Sequence, residues 1–167
     1  IGVIFMEMGM KPLAADPAVR AALEGVLAPN FSMVVLLVVA GFAITSLVRS
    51  SSLLIGVMIA MSAQGLISIE MALPLIMGIN VGKCTSAVWE SRGASRTAKR
   101  AAVIHFLFNF FGTVLVVAFF QGWFLDLLRF LSPEHLPRQL ANAHTLFNLG
   151  TTIVCIPLIR WFVALSD

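Results

Sequence analysis

The stretch FSMVVLLVVAGFAITSLV (31–48), RSSS (49–52), LLIGVMIAMSAQGLISI (53–69) decides the fold. Two apolar arms flank a short polar tip. Each arm is near the lower limit for a bilayer-crossing helix, roughly 17 residues at about 1.5 Å per residue. The arms are either two spans or a re-entrant hairpin with its tip at membrane depth. A tip at that depth must be buried in protein or face a wet cavity, because lipid offers polar groups no partner.

Outward from this hairpin the pattern repeats. Residues 1–14 read as the end of a membrane helix stopping near Lys11 and Pro12. A polar link with Asp16, Pro17, Arg20, Glu24 and Pro29 follows. Residues 71–88 are apolar but carry Pro74, Gly78, Asn80, Gly82 and Lys83, which reads as a broken helix with exposed backbone groups. Residues 89–100 read as a basic cytoplasmic loop and 101–120 as a full-length span. In the mixed loop 121–143, Phe124, Leu127, Leu128 and Leu131 recur at helical spacing, which suits a short interfacial helix. A last span, 144–165, is expected to bend at Pro157.

Composition agrees. The 167 residues are 59% hydrophobic and 11% charged, with a mean hydropathy of +0.98. Soluble domains run at roughly 45–50% apolar and about 25% charged. The expected class is an all-α integral membrane protein, multi-pass, in a cell membrane. The net charge of +3 is no nucleic-acid signal, because Arg92, Arg96, Lys99 and Arg100 cluster in one stretch beside a single acid, Glu90. Such a cluster reads as a positive-inside anchor, which puts 121–143 outside and the C-terminal end inside. Cys84 and Cys155 lie in apolar segments without CxxC spacing and read as packing residues. The chain begins with Ile1 and runs directly into an apolar stretch, so it reads as a piece of a longer protein.

Two constellations carry polar chemistry. The first is Gly41, Thr45 and the run Arg49, Ser50, Ser51, Ser52. If the second arm begins at the serines, its first amides and its dipole favour an anion there. Arg49 adds a fork that fits tetrahedral oxyanions. A solvated turn, with a serine cap and a snorkelling arginine, explains the same residues and is slightly ahead on composition alone. The second constellation is Gly78, Asn80, Gly82, Lys83, Cys84, Thr85 and Ser86. A charge at mid-membrane costs at least about 2.5–3.5 kcal/mol on insertion scales, so it usually faces a cavity or partner. Here the clustering of polar groups favours a binding role over a kinked helix with an outward lysine.

His105 with Asn109, and His144 with Asn148, repeat the pattern His-x-Leu-Phe-Asn and share a helix face at i, i+4. They read as interhelical hydrogen-bonding pairs rather than metal ligands. Glu7 and Glu70 lie near segment ends and read as snorkelling acids. No nucleophile–base–orienter set, phosphate-cradling loop or dinucleotide fingerprint is present, so bond chemistry and cofactors are not expected.

Read in order, several motifs resemble the sodium-dependent phosphate cotransporter family. They are Arg49-Ser-Ser-Ser52, Gly78-Ile-Asn-Val-Gly82, Thr97-Ala-Lys-Arg-Ala101, His105-Phe-Leu-Phe-Asn109 and Ala143-His-Thr-Leu-Phe-Asn148 with Pro157. Members carry two inverted repeats, each with a Gln-Ser-Ser-Ser type motif in a membrane hairpin. The chain is similar to one repeat, the second, which implies one inverted-repeat half of a transporter. The other half would come from a missing N-terminal part, a partner chain or an oppositely oriented copy, as in a homodimer. The resemblance implies transport of inorganic phosphate or a similar oxyanion, coupled to sodium. It implies substrate contacts at Arg49, Ser50, Ser51, Ser52, Asn80 and Gly82, and ion contacts or their charge replacement at Thr45, Lys83 and Thr85. The serine tip and the glycine-broken stretch are expected to meet around the anion.

Two departures stand out. Arg49 replaces the usual Gln before the serines, and Lys83 replaces the usual Thr after the second glycine. Such fixed cations would empty a nearby sodium site, since at ~4 Å like charges repel by several kcal/mol at intermediate dielectric. Alternatively, this repeat has lost its ion site while the other half retains one. A non-transporting scaffold repeat, or a passive anion channel lined by Arg49 and Lys83, are the competing functions.

Overall fold

A computed structural model describes residues 2–24 and 30–166. Residues 25–29 of the expected polar link, with Pro29, lie outside the described residues, as does Ile1. The helices are α1 (Gly2–Ala15), α2 (Pro17–Glu24), α3 (Phe31–Val48), α4 (Ser51–Ala63), α5 (Ile69–Glu90), α6 (Arg96–Leu115), α7 (Gln121–Leu131), α8 (Leu136–Cys155) and α9 (Ile159–Leu165). The expected all-α membrane class holds. Among the described residues, three helical stretches are long and apolar enough to cross a bilayer: Phe31–Val48, Ile69–Gly93 and Arg96–Leu131. The bent pair Leu136–Cys155 and Ile159–Leu165 makes a fourth when taken as one span.

The hairpin differs from expectation in its second arm. Asn30 caps α3 by accepting from the Met33 amide at 2.9 Å. The helix ends at Arg49, whose φ of 58° is left-handed, and Ser50 then caps α4. Helix α4 has only 13 residues, about 20 Å against a hydrocarbon core of roughly 30 Å. Gly65 stops it. With φ of 67° it closes a Schellman pair, Leu66 amide to Met61 carbonyl at 3.0 Å and Gly65 amide to Ser62 carbonyl at 3.1 Å. Helix α3 packs along α5, whereas α4 lies against α8 and α1.

The reading of 71–88 as a broken helix is corrected: α5 runs through it for 22 residues, with Pro74 in its interior. The glycines serve close approach instead. A Cβ at Gly41 would fall on the Leu75 carbonyl oxygen, and one at Gly78 on the Val38 carbonyl oxygen. A Cβ at Gly82 would lie 2.7 Å from both the Phe42 oxygen and the Thr45 Cβ. Small residues let two membrane helices bring their backbones together in this way. Rising numbers on α3 meet rising numbers on α5, so the two helices run parallel.

The basic stretch 89–100 is not one loop. Glu90 ends α5, a 3₁₀ turn covers Ser91–Gly93, and Ser95 caps α6 by accepting from the Ala98 amide. Arg96, Lys99 and Arg100 therefore ride the first turns of α6. Helix α6 returns antiparallel to α5, tied by Thr113 Oγ1 donating to the Met77 carbonyl at 3.2 Å. A π segment at Val116–Phe120 joins it to α7. Residues 121–143 are mostly helical, and α8 begins eight residues before the expected 144. At Pro157 the chain turns by 85° into α9. Arg100 reaches the far end of α9, donating at 3.4 Å to Ser166 Oγ and to the Val163 carbonyl.

The core surrounds α5. Leu73, Ile76 and Met77 are buried with Leu128, Leu140 and Phe147 of α7 and α8. Large apolar side chains point outward elsewhere, Leu47 at 83% exposure and Trp161 at 73% among them. An outer surface of this kind suits acyl chains rather than water.

Candidate functional site

The polar residues of α5 divide between two faces, because positions two apart on a helix point nearly opposite ways. Gly78 and Gly82 face α3, and Asn80 and Lys83 face α8. Asn80 is fully buried. Lys83 does not snorkel outward: its ammonium donates to Asn80 Oδ1 at 3.0 Å and to Asn148 Oδ1 at 2.8 Å. Asn148 Nδ2 also reaches Asn80 Oδ1 at 3.4 Å and its own helix at the His144 carbonyl, 2.7 Å. One ammonium and two amides thus join α5 to α8.

The repeated His-x-Leu-Phe-Asn pairs contribute unequally. Asn148 bridges helices, whereas Asn109 Nδ2 donates within α6 to the His105 carbonyl at 2.9 Å. That same carbonyl receives the Cys84 thiol at 3.6 Å. His144 Nε2 is the one buried side-chain polar atom without a hydrogen-bond partner among the described residues. Glu70 pairs with Arg129 of α7 rather than snorkelling alone.

On the α3 side a small cavity of about 150 Å³ opens where both helices end. It is lined by Ser46, Arg49, Thr85, Ser86 and Trp89. Arg49 donates from Nε to Ser86 Oγ at 3.3 Å and from Nη2 to Glu90 Oε1 at 2.7 Å. Ser46 and Thr85 hydroxyls donate to their own helices, at the Phe42 carbonyl (2.8 Å) and the Gly82 carbonyl (2.7 Å). They present lone pairs to the cavity. Ser86 Oγ accepts from Arg49, which leaves its own hydrogen available. Donors for an oxyanion thus come from Arg49 and Ser86, and acceptors from Ser46 and Thr85.

Of the residues singled out in sequence, Arg49, Thr85 and Ser86 line this cavity. Thr45, 1% exposed, is packed against Gly82 and donates to the Gly41 carbonyl at 2.7 Å. Ser50 accepts from the Leu53 amide at 3.4 Å, and Ser51 and Ser52 form the first turn of α4. Among the described residues no hydrogen bond joins Ser50, Ser51 or Ser52 to Asn80 or Gly82. The meeting expected of the serine tip is made one turn earlier, by Thr45, Ser46 and Arg49. Ser46, Trp89, Glu90 and Asn148 were not among the expected site residues. Spacing held the signal for the first three: Ser46 and Arg49 at i, i+3 oppose Ser86, Trp89 and Glu90 once the helices are known to be parallel.

Fold and composition together define an all-α membrane protein with a small hydroxyl-bearing cavity and a part-buried lysine held by two amides. The family model described as Na+/Pi-cotransporter matches residues 1–131. A Bacillus subtilis (strain 168) protein named Uncharacterized protein YqeW is 30% identical over 125 residues, 75% of this chain and 40% of that protein. The human Sodium-dependent phosphate transport protein 2C is 33% identical over 84 residues, 48% of this chain and 14% of the relative. The rabbit (Oryctolagus cuniculus) Sodium-dependent phosphate transport protein 2A is 36% identical over 89 residues, 51% and 13% respectively. The chain belongs to the Na+/Pi-cotransporter family. It spans less than half the length of these relatives. No solved structure gives a significant match.

Proposed function

We propose that this chain is part of a carrier for inorganic phosphate or a similar oxyanion, coupled to sodium and residing in the cell membrane. The observation that supports it most is the Arg49 guanidinium beside Ser86, at the mouth of a hydroxyl-lined cavity, in a member of this family. The amides of the first turn of α4, at Ser51 and Ser52, add donors near the same end. The remaining half of the site would come from a second repeat, in the same natural protein or in another copy. Movement of one repeat against the other around that site would carry the anion across.

Lys83 supports a second reading at the α5–α8 junction. Its ammonium satisfies two amide oxygens that a mobile cation would otherwise suit, so it acts there as a fixed charge in place of sodium. The test is phosphate uptake with and without sodium in Arg49→Gln and Lys83→Thr variants. An altered sodium dependence in either supports the fixed-charge reading, and unchanged dependence in both removes it. Phosphate binding by the purified protein separates a carrier from a scaffold repeat. Saturable flux with counterflow separates it from a passive channel.

A further inference from the structure

Trp89 also borders a groove that runs down the outside of α5 between α3 and α6. Its upper part, about 340 Å³, is lined by Thr85, Val88, Trp89, Arg92, Val103 and Phe106. Its lower part, about 420 Å³, shares Phe106 and continues between Val35 and Phe42 of α3 and Phe110 on α6. The two hydroxyls on its walls give their hydrogens to backbone, Thr85 to the Gly82 carbonyl and Thr113 to the Met77 carbonyl. Every other lining residue below Trp89 is apolar. Along α6 the wall is one stripe: Val103, Phe106, Phe110, Thr113 and Val117 recur at spacings of three and four. Continued toward the start of α6, the same stripe passes through Lys99 and Arg96. From Val103 to Val117 it runs about 21 Å at the helical rise, more than half of a hydrocarbon core of roughly 30 Å. The mouth is cationic without compensation. Arg92 lies 3.8 Å over the Trp89 ring. Among the described residues Arg92, Arg96 and Lys99 pair with no acid, and Glu90 is held by Arg49.

We propose that this groove binds one anionic glycerophospholipid from the leaflet at that end, with an acyl chain between α3 and α6 and its phosphate at Arg92 and Lys99. Charge complementarity selects this occupant. A guanidinium takes two phosphate oxygens at once, and an indole is at home at the depth where headgroups meet chains, so Trp89 steadies Arg92 there. A zwitterionic lipid also brings a phosphate, but with it an ammonium, which three unpaired cations repel. An anionic headgroup carries no such penalty. A helix from a second repeat or a second copy would fill the apolar volume but leave the cations at the mouth unmatched. The lipid site stands whether or not the neighbouring cavity at Arg49 takes an oxyanion.

The test is lipid binding to the natural protein in mild detergent. It is read by native mass spectrometry and by thermal unfolding during titration with phosphatidylglycerol or phosphatidylcholine of equal chain length. The natural protein should keep one phosphatidylglycerol per chain and prefer it to phosphatidylcholine by about ten-fold. Arg92→Gln and Lys99→Gln should each weaken phosphatidylglycerol about five-fold, the scale of one cation at an anionic membrane surface, and leave phosphatidylcholine unchanged. Arg160→Gln removes the same charge from α9, which packs on Phe108 and Phe111 rather than on the groove stripe, and should change neither lipid. Val114→Trp fills the chain's part of the groove and should weaken both lipids. Equal affinity for the two lipids, an Arg160→Gln effect as large as that of Arg92→Gln, or an indifferent Val114→Trp overturns the proposal. Retention of no lipid, with the groove closed by a second repeat or copy, overturns it too.

Discussion

The two faces of α5 hold their neighbours by opposite means. Toward α3 the contact is glycine on backbone: Gly41, Gly78 and Gly82 bring main chains so close that no Cβ fits. Toward α8 an apolar contact of Ile76 and Met77 with Leu140 and Phe147 is joined by a polar clasp, Lys83 pinned between Asn80 and Asn148. The first face draws on dispersion over a broad area and has no alternative arrangement. The second adds to its apolar packing three side chains whose hydrogen bonds are mutually dependent. In lipid, where the hydrophobic effect does not drive helices together, both are recognised ways to join spans. Their placement on one helix makes α5 the fixed element between a glycine seam and a polar clasp.

That contrast can be broken by mutation, and the seam should fail harder. Gly78→Leu places carbon against the Val38 carbonyl and the Phe42 amide, which are backbone and cannot turn aside. The expected loss is about 3 kcal/mol or more, read by thermal unfolding in micelles, whereas Gly93→Ala, with open space around it, should stay within about 0.5 kcal/mol. Equal stability of the two variants would remove the seam from the account. The clasp comes next. Lys83→Met strands the Oδ1 of Asn148 and should cost about 1–3 kcal/mol. Adding Asn148→Leu together with Asn80→Leu should recover part of that loss, since removing every partner of a buried hydrogen-bond cluster is gentler than leaving one stranded. A combined variant whose cost equals the sum of the single costs would show that the clasp is not a unit.

A milder test probes side-chain rather than backbone crowding. A Cβ at Gly112 would meet the Cγ2 methyl of Thr151, so Gly112→Ala should cost about 1 kcal/mol. Thr151→Ser, which lacks that methyl, should restore most of it. The smallest effect concerns the joint between α3 and α4. Arg49 has a φ of 58°, so Arg49→Gly should exceed Arg49→Ala in stability by about 1 kcal/mol. Both variants lose the same ion pair, which isolates the backbone contribution.

The membrane class was legible because it depends on apolar run length, which residue order reveals directly. The joint at Arg49 and Ser50 and the turn at Pro157 were legible for the same reason: each is local. What escaped was the purpose of Gly78, Asn80, Gly82 and Lys83. Read in a line they interrupt a helix, but wound at 3.6 residues per turn they separate into two clean faces. Only the positions of α3 and α8 reveal that division. Glu90 was set aside with the basic cluster because its partner, Arg49, lies 41 residues away in sequence. The serines drew attention as a triplet, whereas the cavity takes single hydroxyls from two parallel helices.

That parallel course has an outcome for turnover. Helices α3 and α5 bring their carbonyl-rich ends to the same place, and the aligned peptide dipoles make that end negative by about half an elementary charge per helix. On the reading proposed above, an oxyanion beside Arg49 would sit against that local field, with one guanidinium and the first amides of α4 opposing it. Tight capture is not available there. On the carrier reading proposed above, such a shallow well would favour release of the anion in each cycle.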